Sequence, residues 1–474
     1  MSPDPRRWWA LAVLALAQFM VIMDTSIIAV ALPEMQRELG FTPSSLQWVF
    51  NAYAVVFGGL LLLGGRLSDL FGARRVFAAG WVGLTAGSVI AAAANGPGVE
   101  ILGRAVQGVG AALIAPAAMT LLMVLFAGRP KELPKAMAWY GAAAPAGGTA
   151  GVFLGGVITE WLSWPWVFIV YVPIGVLTLV VTRRVLPSVP GRRAGMDVAG
   201  ALAVTLGLAL AVYAVVRAPE RGWGSSATLV QLGAALVLLV GFVVLQRVVK
   251  SPLMPLKVWR TPNLAAANVA MALLGAAWIP MWYFLNLYVQ QVLGFGAFAS
   301  GAALVPMTAF MMLLMTAVTG RLIGRFGTRP LIVTGLLALA AGLGILSTAD
   351  PRGSFLADVL PGSLVAAVGM SLVFIPAMLS AIGGVAPEEG GLASGIVNTT
   401  YQVGSALGLA AMTALATSQG GDRLGDVVAL TDGFSAAFAG AGAVALAGAV
   451  IALITLRKPA AAPTEEVAAD RVNA

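Results

Sequence analysis

Asp24 stands deep within the apolar run of residues 8–32, and Arg104 within that of residues 98–125. An ionisable group deep in hydrocarbon is costly because burial penalises its charged form, so a carboxyl held there is a candidate proton carrier. The plainer alternative is a carboxylate near an interface with a local hydrogen bond. The two runs are antiparallel, and at about 1.5 Å per residue Asp24 lies ~12 Å and Arg104 ~9 Å from corresponding ends, so they can meet at one depth. A pair there would offset the desolvation of both charges, and a proton on Asp24 would break it, giving a two-state element. Arg104 could instead snorkel outward as a topological anchor.

Little else in the chain can do acid–base or redox work. Cysteine and histidine are both absent, which removes disulfides, thiol nucleophiles, Cys/His metal sites and imidazole chemistry. Any proton handled near neutral pH must then use a carboxylate. Glu160 and Asp358 fall near predicted segment ends, so a dicationic substrate that needs a second buried carboxylate is disfavoured. No GxxxxGK[ST] loop occurs, which argues against ATP-driven pumping by this chain. Trp278, Trp282, Asn286 and Gln290 recur every four residues, and Asn398, Tyr401, Gln402, Asn51 and Tyr53 add further amides and aromatics. Such walls suit a pocket for a bulky amphipathic molecule; helix packing and interfacial anchoring are the alternative. Gly147, Gly151 and Gly155, with Gly148 and Gly156 beside them, form a small-residue stripe along which another backbone can approach closely.

The elements that must position these residues are membrane helices. Hydrophobic residues make up 59% of 474 and charged residues 10%, with mean hydropathy +0.92, a surface no water-exposed globule could carry. Long apolar runs without strand-like alternation must be helices in lipid, where every backbone group is paired within its segment. The expected spans are 8–32, 46–66, 75–95, 98–125, 136–160, 164–184, 197–218, 227–248, 262–293, 299–324, 329–348, 356–384, 391–418 and 432–456. The first run is too long for a signal-peptide core and reads as a retained helix. The expected fold is an all-α membrane protein of about fourteen transmembrane helices.

The net charge of +8 lies in short loops rather than on one face, which disfavours nucleic acid as a partner. Of the 28 Lys and Arg, 22 fall on one side of this map and five on the other, with Arg104 inside a span; that asymmetry places both termini in the cytoplasm. The Pro/Ala-rich tail 459–474 reads as disordered. Residues 65–75 read GRLSDLFGARR and residues 320–330 read GRLIGRFGTRP, each after the second helix of a six-helix block. The chain thus divides into 1–190, an extra pair at 191–255, a second six at 256–458, and the tail; a chance Gly/Arg turn is the weaker alternative. Duplicated halves of this kind commonly place a substrate path at their interface.

On these motifs the sequence resembles the major facilitator superfamily, and within it the 14-spanner drug:proton antiporter family. GRLSDLFGARR fits the family's loop signature through Gly65, Asp69, Gly72, Arg74 and Arg75. Gly65 and Gly72 suit a tight turn and Asp69 suits a helix start or an arginine partner, and the resemblance makes this loop a conformational latch. MDTSIIAVALP over 23–33 resembles the first-helix motif, with Ala29 where Asn is frequent. ILGRAVQGVGAALIAP over 101–116 matches the fourth-helix pattern through Arg104, Gln107, Gly108 and Gly110. GVFLGG over 151–156 resembles the exporter-associated signature, with Val152 in place of proline, and the following segment has Pro165 and Tyr171 where Arg and Asn are common.

The resemblance implies two six-helix bundles around a central extra pair, working by alternating access as a proton antiporter in the inner (plasma) membrane. Expected cargo is a lipophilic or amphipathic drug or a natural product, with Asp24 and Arg104 coupling it to protons. A dedicated metabolite, antibiotic or siderophore exporter and an importer of the same fold are rivals, and a non-transporting receptor or scaffold is a third class. An intramembrane enzyme has little here to catalyse with. The expected partners are the bilayer, protons and a small-molecule substrate, with the chain acting as a monomer, without metal or cofactor and driven by the proton gradient.

Overall fold

The computed structural model describes residues 6–126, 132–188, 197–250, 252–254, 256–382 and 390–457, and no strand occurs among them. The first block contains α1 (Arg6–Leu39), α2 (Trp48–Phe71), α3 (Ala73–Ala92), α4 (Pro97–Phe126), α5 (Leu133–Trp161) and α6 (Tyr171–Val185). Then come α7 (Val198–Arg221) and α8 (Ser226–Val248). The second block contains α9 (Leu264–Leu287), α10 (Ala297–Leu313), α11 (Thr328–Leu346), α12 (Leu360–Ile382), α13 (Gly390–Ser418) and α14 (Val427–Thr455). A π turn at Leu314–Val318 and a short helix at Thr319–Phe326 prolong α10.

Thirteen helical stretches among the described residues are long and apolar enough to cross a membrane, and the chain is a multi-pass membrane protein. α13 is not among the thirteen: its 29 residues include Asn398, Thr399, Thr400, Tyr401 and Gln402 in succession, which dilute its apolar character. The expected tail, the loop residues 191–196 and several of the charge-bearing loop positions lie outside the described residues.

Two boundaries differ from expectation. α1 does not stop before Pro33 but runs on to Leu39, because losing one N–H donor leaves the helix's other hydrogen bonds in place. α2 runs past residue 66 to Phe71, and the turn into α3 is Gly72 alone, at φ 89° and ψ 129°. Gly65 is therefore helical rather than part of the turn, and Asp69 sits in the last turn of α2 rather than at a helix start; its side chain lies outside the described residues. The second copy is built alike, with Gly327 at φ 79° between Phe326 and Thr328. A left-handed φ strains every residue with a Cβ, so glycine is required at both turns.

The repeat reaches deeper than its loop. α3 packs on α4 through Gly80 and Gly87 against Gly110 and Gly103, and α11 packs on α12 through Gly335 and Gly342 against Gly369 and Gly362. A Cβ on Gly80 would lie 2.8 Å from the Gly110 carbonyl oxygen, and one on Gly335 would lie 2.9 Å from that of Gly369. Close backbone approach of this kind drives helix association where lipid is as apolar as the side chains. After each turn glycine an arginine ties the next helix down: Arg74 Nη1 donates to the Leu186 carbonyl at the end of α6 (3.2 Å), and Arg329 Nη2 donates to the Leu453 carbonyl near the end of α14 (2.7 Å). Both complement the negative end of a helix dipole.

Between the blocks, α5 packs on α10 and α2 packs on α13, while α7 rests on α2 and α13 with α8 outside it. The extra pair is fastened at Asp197, which accepts from the Gly200 amide and from Gln246 Nε2, both at 2.7 Å; Gln246 Oε1 in turn accepts from the Met254 amide at 2.9 Å.

Candidate functional site

α1 and α4 bring Asp24 and Arg104 together although their distances from the helix ends do not match once α1 extends to Leu39. Arg104 Nη1 donates to Asp24 Oδ2 at 2.6 Å, and both side chains are 0% exposed. The guanidinium is held from other directions as well. Its Nε donates to the Val49 carbonyl at 2.8 Å, Nη1 also donates to Gln107 Oε1 at 2.6 Å, and its plane lies 4.7 Å from the centre of the Tyr53 ring. Gln107 Nε2 donates to Asp24 Oδ1 (3.2 Å) and to Ser88 Oγ (2.8 Å). Four helices thus converge on one charge pair, and neither charge is a surface anchor. Breaking a buried pair of this kind costs several kcal/mol, roughly 3–5, because it leaves one charge uncompensated.

The pair is not the only buried charge. Glu100, one helical turn before Arg104 on α4, is fully buried, and neither carboxylate oxygen has a hydrogen-bonding partner; Arg104 Nη2 is also without one. The expectation of a single buried carboxylate is corrected here. The missed signal was the four-residue spacing from Glu100 to Arg104, which puts both on one helix face. Tyr171, on α6, donates to the Met20 carbonyl at 3.4 Å, one turn from Asp24 on α1.

The glycine stripe of α5 lies against the stretch of α1 that carries Asp24. A Cβ on Gly147 would meet Met23 N at 3.2 Å, one on Gly151 would meet Ser26 Cβ at 2.8 Å, and one on Gly155 would meet Ile27 Cα at 3.2 Å. Gly156 faces another way, toward α10, where a Cβ would lie 2.9 Å from the Ala297 carbonyl oxygen. Of the 65–75 segment, Arg74 holds the end of α6, Arg75 is exposed and Gly72 makes the turn.

The residues expected to line a pocket pack in several separate places. Trp278 and Trp282 stack with ring centres 6.4 Å apart, and Asn286 Nδ2 donates to the Trp282 carbonyl at 2.9 Å. Tyr53 belongs to the charge site, and Asn51 Nδ2 donates to Gln47 Oε1 at 3.3 Å. Tyr401 meets Phe374 edge to face, while Gln402 lies against Gly58 of α2, and Asn398 is partly buried on the same helix as Gln402. None of the eight lines the cavity of about 660 Å³ that opens between the blocks. Aromatics and amides stabilise helix seams as well as they line pockets. That cavity is walled by Glu34, Gln36 and Arg37 of α1, by Thr159 and Glu160 of α5, by Gln290, Gln291 and Phe295 after α9, and by Leu430 of α14. Of the expected stripe only Gln290 reaches it, and its Nε2 donates to the Val30 carbonyl at 3.0 Å.

Comparison with known proteins places this architecture. The family model described as Major Facilitator Superfamily matches residues 14–409 and 307–473. The cephamycin export protein CmcT of Amycolatopsis lactamdurans is 40% identical over 446 residues, covering 93% of this chain and 91% of that protein. The puromycin resistance protein pur8 of Streptomyces alboniger is 38% identical over 467 residues, covering 96% and 92%. In fold, the chain is similar to the nucleoside transporter NupG, with a TM-score of 0.67 at 12% identity, covering 95% of this chain and 100% of that one.

Proposed function

The chain belongs to the major facilitator superfamily, and from that premise we propose that it is a proton-driven antiporter exporting lipophilic or amphipathic small molecules by alternating access. The observation that carries the coupling is the Asp24–Arg104 pair, two charges with 0% exposure on helices of one bundle. With Asp24 ionised, the pair and Gln107 fasten α1 to α4. A proton on Asp24 cancels the attraction and leaves Arg104 in need of another partner, so each protonation state favours a different packing of the bundle. A proton gradient then drives the cycle in one direction.

In this reading 1–190 and 256–458 act as two six-helix bundles with 191–255 as a linking pair, giving fourteen spans with both termini in the cytoplasm. The positive-inside charge distribution supports this orientation. The cavity between α1, α5, α9 and α14 is then the outer mouth of the substrate path, and its Glu34 and Glu160 favour cationic or amphipathic cargo. The working unit is a monomer in the bilayer that takes protons and a small molecule, without metal, cofactor or nucleic acid.

The resistance and export proteins named above support export of antibiotic-like molecules. They also favour a second reading, a transporter dedicated to one natural product, since each of those two names carries a single antibiotic. The deciding experiment reconstitutes the full chain in vesicles and follows efflux of puromycin and of ethidium under an imposed proton gradient. Wild type accumulates against the gradient, whereas Asp24→Asn, expressed and folded normally, loses gradient-driven movement of both. Full retention by D24N would sink the coupling role. Transport of puromycin without ethidium selects the dedicated exporter.

A further inference from the structure

The charge site contains one more acid than it has bases to pair it. Asp24 holds Arg104 Nη1, while Glu100 lies one turn along α4 with both oxygens unpartnered, beside an arginine whose Nη2 is equally unpartnered. An ionised carboxylate without a hydrogen bond in so dry a place costs several kcal/mol, so the arrangement balances only if one of the two acids carries a proton. At 1.5 Å rise per residue the two α4 positions are about 6 Å apart along the axis, within the swing of an arginine side chain.

We propose that Glu100 is a second proton-binding residue and that Arg104 exchanges its carboxylate between Asp24 and Glu100 as a single proton passes between them. In the arrangement described above, Glu100 holds the proton as a neutral acid and Asp24 is the anion paired with Arg104. In the alternate arrangement the proton has left the Glu100 carboxyl and sits on an Asp24 oxygen, and Arg104, which keeps all its own protons, pairs with Glu100 as the anion. The three groups carry the same net charge in both, so no uncompensated charge is ever buried. Glu100 lies between Arg104 and the N-terminal end of α4, so it is the first of the two acids a proton entering at that end would meet.

The surroundings leave the exchange to these three. Arg104 and Asp24 are the charged groups that act on Glu100. Of the helices packed on α4, α1 presents Asp24 and carries Arg6 and Arg7 at its start and Glu34, Arg37 and Glu38 in its last two turns. α2 and α3 carry Arg66, Asp69, Arg74 and Arg75 at the opposite end, α5 carries Lys135 there and Glu160 in the cavity wall, and α13 carries no charge.

This inference rests on the proton-coupled reading but is tested apart from it. Infrared spectra of the full chain in lipid nanodiscs at neutral pH should show a buried protonated-carboxyl band. The band should vanish in Glu100→Gln. It should also vanish in Asp24→Asn, because Arg104, released, draws Glu100 into its ionised form. A band that survives in E100Q, or in D24N, overturns the proposal, as does a wild type without the band. In vesicles E100Q should lower gradient-driven ethidium efflux by about tenfold while exchange without a gradient persists, and Glu100→Asp should restore drive. Failure of E100D to restore drive, with exchange intact, counts against the proposal. If wild type itself shows no gradient drive, the antiport reading fails while the infrared result still decides Glu100.

Discussion

Arg104 stands over the Tyr53 ring at 4.7 Å while its Nη1 reaches Asp24 at 2.6 Å, so one guanidinium joins a face-on aromatic contact to a fully buried ion pair. A lysine at this position keeps the charge and loses the rest: it has no Nε to donate to Val49 and no plane to lie on the ring. Arg104→Lys should therefore abolish gradient-driven efflux in vesicles, although charge counting calls it conservative. Tyr53→Phe keeps the ring and should leave efflux close to wild type, whereas Tyr53→Leu removes an attraction of about 1–2 kcal/mol and should slow it roughly tenfold. Equal efflux by Y53F and Y53L would show that the ring contributes only volume.

On α5 the seam with α1 makes two neighbouring glycines unequal. A Cβ on Gly151 would stand 2.8 Å from Ser26 Cβ and 2.9 Å from the Met23 carbonyl oxygen, whereas one on Gly148 meets nothing closer than Ser26 Oγ at 3.8 Å. Gly151→Ala should lower stability by about 1–3 kcal/mol through overpacking and displace α1 beside Asp24. Gly148→Ala should be neutral. Thermal unfolding in detergent, with ethidium efflux alongside, separates the two; equal melting temperatures for both variants would mean the seam yields freely.

Within the second copy of the loop one glycine of three is forced by its backbone. Gly327 has φ 79° with open space around its missing Cβ, while Gly320 and Gly324 are helical and equally unobstructed. Gly327→Ala should cost roughly 1–2 kcal/mol from left-handed strain alone. Gly320→Ala and Gly324→Ala should leave stability unchanged or raise it by about 0.5–1 kcal/mol, since alanine suits a helix interior better. Melting temperatures of the three single variants give the ranking directly.

How far these features were legible in the sequence depends on how many roles each residue type can fill. An aspartate and an arginine inside apolar runs have few, so Asp24 and Arg104 are legible as a pair in the sequence alone. Tryptophan, tyrosine and amides have many: Trp278 and Trp282 are buried and stacked on each other along α9, and neither lines the cavity. Glu100 was hidden because it falls in the first turn of α4, where acids are ordinary, and only the packing of neighbouring helices buries it. The glycines of α3 and α11 carry the repeat more deeply than the loop motif does. With a seven-residue spacing among many glycines, however, they are recognisable only once α4 and α12 lie against them.

The contact of α5 with α10 offers a test of alternating access that this chain makes unusually clean. Gly156 faces the start of α10, where a Cβ would lie 3.0 Å from Phe298 Cα; one turn on, Trp161 stacks on the Phe298 ring at 5.3 Å, and the Phe298 amide donates to Glu160 Oε2 at 3.4 Å. All of this lies beside the cavity between the blocks, so a cycle that changes which side of the path is open must move these segments apart or slide them. The chain has no cysteine, so Gly156→Cys with Phe298→Cys introduces the only two thiols, at a contact where a Cβ on residue 156 stands 3.0 Å from Phe298 Cα and the seam must give by a few tenths of an ångström to admit the cross-link. Oxidation of the double variant should arrest ethidium efflux, reduction should restore it, and each single variant should ignore the oxidant. Undiminished efflux in fully cross-linked protein would mean that α5 and α10 stay together at this end throughout the cycle, and that the halves rock about this seam rather than across it.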